Sequence, residues 1–189
     1  MTAQQKASLT LNGTEVPKEL VGALSAADRD GDLDQQLAQN GYLLLRGVHD
    51  PAEVAAARME VLHRLAEVGE IGAPVEDGIA SGMSRRRKTY PTRTDLGAFW
   101  RSVSEGSAVR AVINGARITR VMSQLFGEPA AHFTFAWLRA MAKGRASPLH
   151  VDHPYMNRGS DRLVTCWTPL CDISLNNGSL YILENSHQQ

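Results

Sequence analysis

The chain has 189 residues, 43% of them apolar and 21% charged, the make-up of a globular domain long enough to bury a real core. Twenty Lys and Arg offset twenty Asp and Glu, so the molecule as a whole has no net field to gather nucleic acid or an anionic membrane, and small molecules are the expected partners. One domain spanning 1–189 is expected.

Cys166 and Cys171 stand five positions apart, outside any CxxC and without zinc-finger spacing, which argues against a disulfide framework or a structural zinc site. They read as two buried thiols in a reducing compartment. The opening residues lack a charged stretch followed by an apolar one, and no run approaches the roughly 18 apolar residues of a membrane span, so a cytoplasmic protein is expected.

Taken in chain order, "GYLLLR" places a short apolar run at Tyr42 to Arg46 behind a glycine, the pattern of a buried strand. A helix follows it. Asp50 stands at the capping position, with Pro51 at the first helical residue and Glu53 completing a capping box. Val54, Val61, Leu62, Leu65 and Val68 then recur at helical spacing, which buries one face and leaves Arg58, Glu60 and Arg64 in water. Gly69 ends it. Residues 69–97 are rich in glycine, hold two prolines and the run "SRRRK", and show no apolar period. They read as a long irregular connection of the kind that often forms a lid. The basic run at Arg85 to Lys88 has two readings, a holder of an anionic group or, more commonly, a solvated loop. "SAVRAVINGARITRVMSQLFGEP" is helical again, with Val109, Val112, Ile113 and Ala116, then Val121, Met122, Leu125 and Phe126 on one side. Asn114-Gly115 marks a kink, and Gly127 with Pro129 a stop.

Past Pro129 the period changes from helical to alternating. In "HFTFAWLRAM", Phe133, Phe135, Trp137, Arg139 and Met141 fall on one face of a strand. "RLVTCWTPL" and "SLYILE" are two further strands, with Asn177-Gly178 as the turn between them. Helices first and strands second, with no Gly-rich phosphate loop, predict an antiparallel sandwich or barrel with helices packed on it, helical to about residue 128 and sheet from about 129 to 189.

Within "SPLHVDHPYM", residues 147–156, His150 and Asp152 are two apart, so extended backbone would project both from one face and turn His153 to the other. A neutral imidazole and a carboxylate suit a first-row divalent metal, and a further His would complete the two-His, one-carboxylate set that leaves three positions open on Fe(II). Two of those suit a chelating 2-oxo acid and one suits O2. The tripeptide alone is weak, since chance gives roughly 0.3 such pairs in a chain with this many His and Asp. A hydrogen-bonded loop histidine is the competing reading.

"SPLHVDHPYM" followed by "VTCWTPLCDISLNNGSLYILENSH" resembles the phytanoyl-CoA dioxygenase family of Fe(II)- and 2-oxoglutarate-dependent oxygenases. That family shows His-x-Asp, an apolar strand with a Trp, an L-x-D turn, an NG-x-L turn and a strand ending in GSH. "NGYLLLRGVHDPAEVAAAR" and "LFGEPA" resemble its opening strand and helix and its pre-sheet helix end, so the likeness covers roughly residues 37 to 187. The resemblance implies a double-stranded β-helix, the cupin-like jelly roll, with N-terminal helices packed on the sheet. It implies that His150 and Asp152 ligate Fe(II) and that Trp167 lines the 2-oxoglutarate pocket, a role compatible with being a packed core aromatic. Asn177 and Gly178 fall on turn positions, and His187 on the structural His of the GSH turn. His153 matches no ligand, and His49, His63 and His132 read as structural.

The family's second ligand His and its 2-oxoglutarate-binding Arg lie beyond the GSH turn, and this sequence stops at Gln189. It is thus expected to be a fragment or a shortened relative with a weakened site, and His187 is a less favoured substitute third ligand. The resemblance implies oxidation, most simply hydroxylation, of a small organic substrate with O2 while 2-oxoglutarate becomes succinate and CO2. A shortened jelly roll that binds without turnover is the alternative, and a metal enzyme of similar shape with no need of 2-oxoglutarate is a weaker one.

Overall fold

The computed structural model describes residues 10–11, 14–139, 147–156, 159–160, 162–174 and 177–188. The chain divides into two compact units, a discontinuous one from Met1–Arg46 and Ala140–Gln189 and a continuous one from Gly47–Arg139.

The continuous unit is helical. α2 (Pro51–Glu67) begins where Asp50 accepts a bond from the Ala52 amide at 2.8 Å and Pro51 needs no partner for an N–H. It buries Ala57, Val61, Leu62 and Leu65, and Val68 just past its end is fully enclosed; Val54 is half-buried. This stripe packs on α5 (Ser107–Ile113) and on α4 (Arg93–Ser104). Phe99 of α4, 2% exposed, is the largest enclosed side chain, and burying it stabilises the unit by roughly 2–3 kcal/mol. α6 (Ala116–Phe126) buries Ile118, Val121 and Leu125 and ends on Gly127 in the left-handed conformation, φ 66°. The expected kink at Asn114-Gly115 is a full break between α5 and α6.

Two expectations need correction here. Arg58, Glu60 and Arg64 are half-buried rather than wet, because each reaches across to a neighbouring element. The Glu60 carboxylate accepts the amides of Ala108 and Val109, both at 3.0 Å, and so caps α5 from outside; Arg64 bonds Ser102 of α4, and Arg58 the carbonyl of Glu76. Residues 69–97 are also less irregular than expected. Gly72 N to Ile79 O and Ser81 N to Glu70 O pair two arms of a ribbon, with the one-turn helix Val75–Asp77 at its tip. The basic run then winds into α3 (Arg86–Thr89), tied to the end of α2 by Arg85 N to Val68 O at 2.7 Å, and α4 starts at Arg93.

In the discontinuous unit, β1 (Thr10–Leu11) and β2 (Thr14–Glu15) form a minimal antiparallel pair, and the one-turn helix Lys18–Leu20 follows. α1 (Leu33–Asn40) is capped by Asp32 accepting from Gln35 N and closed by Gly41 at φ 74°. The run Tyr42 to Leu45 is half-buried, and Leu44 makes a single parallel bridge to Ala26 rather than a full buried strand. Later in the chain come α7 (His153–Met156) and the one-turn helix Ser186–Gln188. Among the described residues, those after 129 carry no paired strand. Phe133 and Phe135 nonetheless stack at 5.4 Å and Arg139 lies over Trp137 at 5.0 Å, the same-side neighbours that alternation predicts. Met141 and most of the turn before Ser147 fall outside the described residues. Among the described residues no helix is long and apolar enough to cross a membrane.

Candidate metal-binding site

His150 and Asp152 meet. Nε2 of His150 lies 3.3 Å from Oδ1 of Asp152, with both side chains partly exposed. The segment between them is an unpaired bend that runs into α7, and the Asp152 carbonyl accepts the Tyr155 amide at 2.9 Å, which anchors the carboxylate-bearing residue to that first turn. His153 is the first residue of α7 and is exposed.

The other imidazole nitrogen sets the chemistry. Nδ1 of His150 lies 2.7 Å from the Pro148 carbonyl oxygen, which can only accept, so Nδ1 carries the proton. In the neutral ring Nε2 then holds a lone pair, and that lone pair looks at a carboxylate oxygen. Two acceptors 3.3 Å apart repel unless a cation lies between them, either a proton on Nε2 or a metal ion. Two ligands at about 2.1 Å from a divalent ion and at right angles to one another stand ~3.0 Å apart, so the pair fits adjacent positions on one ion with little movement. The Pro148 carbonyl is the partner such a ligand histidine uses to hold its ring and raise its basicity. Sequence reasoning missed it, since every residue type supplies a carbonyl and nothing in the residue order marks which one will be used.

Among the described residues no third His, Cys, Asp or Glu joins these two. His187, weighed as a substitute, is committed elsewhere: its ring sits on Gly41, so close that a Cβ at residue 41 would collide with it. His63 and His132 are exposed, and His49 is half-buried at the start of the continuous unit. Burial lowers the His49 pKa, against the opposing pull of Glu53.

Trp167, expected in the cosubstrate pocket, is 49% exposed, and among the described residues no hydrogen bond, ion pair or ring contact ties it to His150 or Asp152. The two cysteines are exposed rather than buried, because they fall in a stretch without a ladder to cover them, although local crowding still raises the Cys166 thiol pKa. Asn177 N bonds Ser174 O at 2.9 Å and Gly178 takes φ 79°, the left-handed conformation of a turn glycine, while Asn176, which would open the expected Asn177-Gly178 turn, lies outside the described residues.

No curated protein and no solved structure matches the chain. A family model described as phytanoyl-CoA dioxygenase (PhyH) matches residues 37–189, a span that takes in the helical core, the imidazole and carboxylate pair, Trp167 and the His187 turn. With most of its length matched in that order, the chain belongs to the phytanoyl-CoA dioxygenase family, whose members are typically oxygenases.

Proposed function

We propose that the chain carries the metal-binding part of an Fe(II)- and 2-oxoglutarate-dependent dioxygenase that oxidises, most simply by hydroxylation, a small organic substrate. The fold that goes with this reading is the jelly roll of the family, with the stretches 132–141, 162–170 and 179–184 as its strands. The observation that carries it is the convergence of His150 Nε2 and a carboxylate oxygen of Asp152 at 3.3 Å, with Nδ1 turned to the Pro148 carbonyl.

In this reading His150 Nε2 and Asp152 Oδ1 hold the iron, and Pro148 keeps the proton on Nδ1 so that Nε2 stays a donor toward metal. Iron, when bound with 2-oxoglutarate and O2, supplies the oxidising chemistry that leaves succinate and CO2. Asp152 offsets part of the metal's charge, and its link to α7 fixes the direction from which it does so. Trp167 supplies apolar wall for the cosubstrate, a part its indole can take on when covered.

The test is Fe(II) binding by equilibrium dialysis together with succinate formation under O2. His150→Ala and Asp152→Ala each lower Fe(II) affinity by more than about 100-fold and abolish succinate formation, while His153→Ala changes affinity by less than about threefold. Equal losses at all three positions would sink the reading. A jelly-roll module that binds a small molecule without turnover is the second reading, favoured by the presence of only two converging donors among the described residues. Iron bound without succinate or O2 consumption would select it.

A further inference from the structure

We infer that residues 78–94 form a peripheral docking surface for an anionic lipid membrane. The stretch "GIASGMSRRRKTYPTRT" holds five cations, Arg85, Arg86, Arg87, Lys88 and Arg93, and no carboxylate, in a chain whose total charge is zero. The neutral total therefore hides a local excess, and the rest of the chain is acidic by the same amount. Only local charge matters to a surface, because screening limits the reach of each cation to about 8 Å at physiological salt.

The structure shows which of these charges are spoken for. Arg86 lies 3.4 Å from Glu70 and over the Trp100 ring at 5.0 Å, and elsewhere in the helical unit Arg64, Arg110 and Arg117 each pair with a carboxylate. Arg85, Arg87, Lys88 and Arg93 are exposed and make no ion pair among the described residues. The nearest acids in sequence flank the stretch: Asp95 accepts the Thr92 hydroxyl at 2.6 Å, and Glu76 and Asp77 precede Gly78 at the ribbon tip. Two aliphatic side chains of the same stretch stand out in water, Ile79 at 65% and Met83 at 72% exposure. The backbone that presents them is tied at both ends, by Gly72 N to Ile79 O and by Arg85 N to Val68 O.

Cations beside exposed aliphatic groups match the boundary of an anionic bilayer, where phosphates lie next to acyl chains. A small anion needs a concave site, and two clefts of this unit, of about 260 and 320 Å³, are lined by none of these five cations but by residues such as Asp95 and Phe99 or His49 and Arg117. A single-stranded nucleic acid calls for exposed rings on which bases stack. The one aromatic here, Tyr90, is stacked on the buried Phe99 at 4.7 Å.

Vesicle flotation tests this with the full chain. Protein floats with vesicles of roughly 3:1 phosphatidylcholine to phosphatidylserine, stays behind with phosphatidylcholine alone, and is released by added salt. Each neutralised cation costs about fivefold in partitioning, so Arg87→Gln, Lys88→Gln and Arg93→Gln together cost about 100-fold. Ile79→Ser with Met83→Ser weakens the binding that persists at higher salt. Arg87→Lys with Lys88→Arg floats like the parent, and unchanged far-ultraviolet circular dichroism excludes misfolding as the cause of any loss. Equal flotation with neutral vesicles, or full flotation by the triple variant, overturns the proposal. Tighter binding to a DNA duplex, unaffected by the Ile79 and Met83 changes, replaces it with a nucleic-acid surface.

Discussion

One hydrogen bond at His150 places a proton on Nδ1 and leaves Nε2, 3.3 Å from Asp152 Oδ1, as the nitrogen that meets the carboxylate through a proton or a metal ion. Spacing marked the two side chains as a pair that extended backbone would put on one side, and the family resemblance singled them out as ligands. It could not supply the carbonyl that orients the ring, nor show that the segment is a bend rather than a strand. Asn185 gives a second example at this scale. The family's GSH turn has a glycine where this chain has Asn185, and Asn185 takes φ 60°, a left-handed conformation that Asn tolerates better than other side chains. Asn185→Gly therefore leaves thermal stability unchanged or slightly raised, whereas Asn185→Val lowers it by about 1–2 kcal/mol, read from urea midpoints. His49 makes stability depend on pH. Its folded pKa lies below 6.5 because burial disfavours the imidazolium, so as pH falls through 6.5 the unfolded chain takes up a proton that the folded chain refuses. Its contribution is full above 6.5 and is lost as pH drops toward the folded value. Comparing urea midpoints at about pH 7.5 and about pH 5.5, His49→Gln shows a smaller loss on acidification than the parent.

At the scale of elements, the start, the apolar stripe and the end of α2 were legible, although Asp50 takes the Ala52 amide and not that of Glu53. Its cap, its Pro51 and its apolar stripe agree with one another, and local agreement of that kind survives folding. α4 was missed although its signals are present: Thr92 accepts the Asp95 amide at 3.0 Å, and Leu96, Phe99, Trp100 and Val103 follow at helical spacing. Glycine and arginine around it hid the pattern. No reading of residue order could assign Glu60, which lies in α2 but serves the first turn of α5, 48 residues away from Ala108. Gly106, at the capping position of α5, has no side chain to do this, and a Cβ there would strike the Glu60 carboxylate. Glu60→Ala accordingly lowers stability by about 1–2 kcal/mol, a drop of some 2–8 °C in melting temperature, and Glu60→Gln, which keeps the acceptor oxygen, loses less. A Glu60→Ala melt indistinguishable from the parent would show that water caps α5 equally well. The stretches expected as strands after residue 129 were the least legible part in structural terms, since a strand's identity lies in partners distant in sequence that alternation cannot name.

For the whole molecule, every buried apolar residue among those described, Leu33 excepted, belongs to Gly47–Arg139. A piece of roughly 90 residues with that core is large enough to fold alone. Expressed as residues 47–139, it melts cooperatively with helical circular dichroism; a featureless, gradual melt would show that the helices depend on the rest of the chain. The division into a continuous and a discontinuous unit also sets an order of events at the ribosome. The stretch 47–139 can close as soon as it emerges, but residues 1–46 gain the rest of their unit only when 140–189 have been made, roughly 7–29 seconds after residue 46 at translation rates of about 5–20 residues per second. Until His187 arrives, Gly41 lacks the imidazole that lies against it, and the residues proposed to grip iron are made only after the last residue of the helical core.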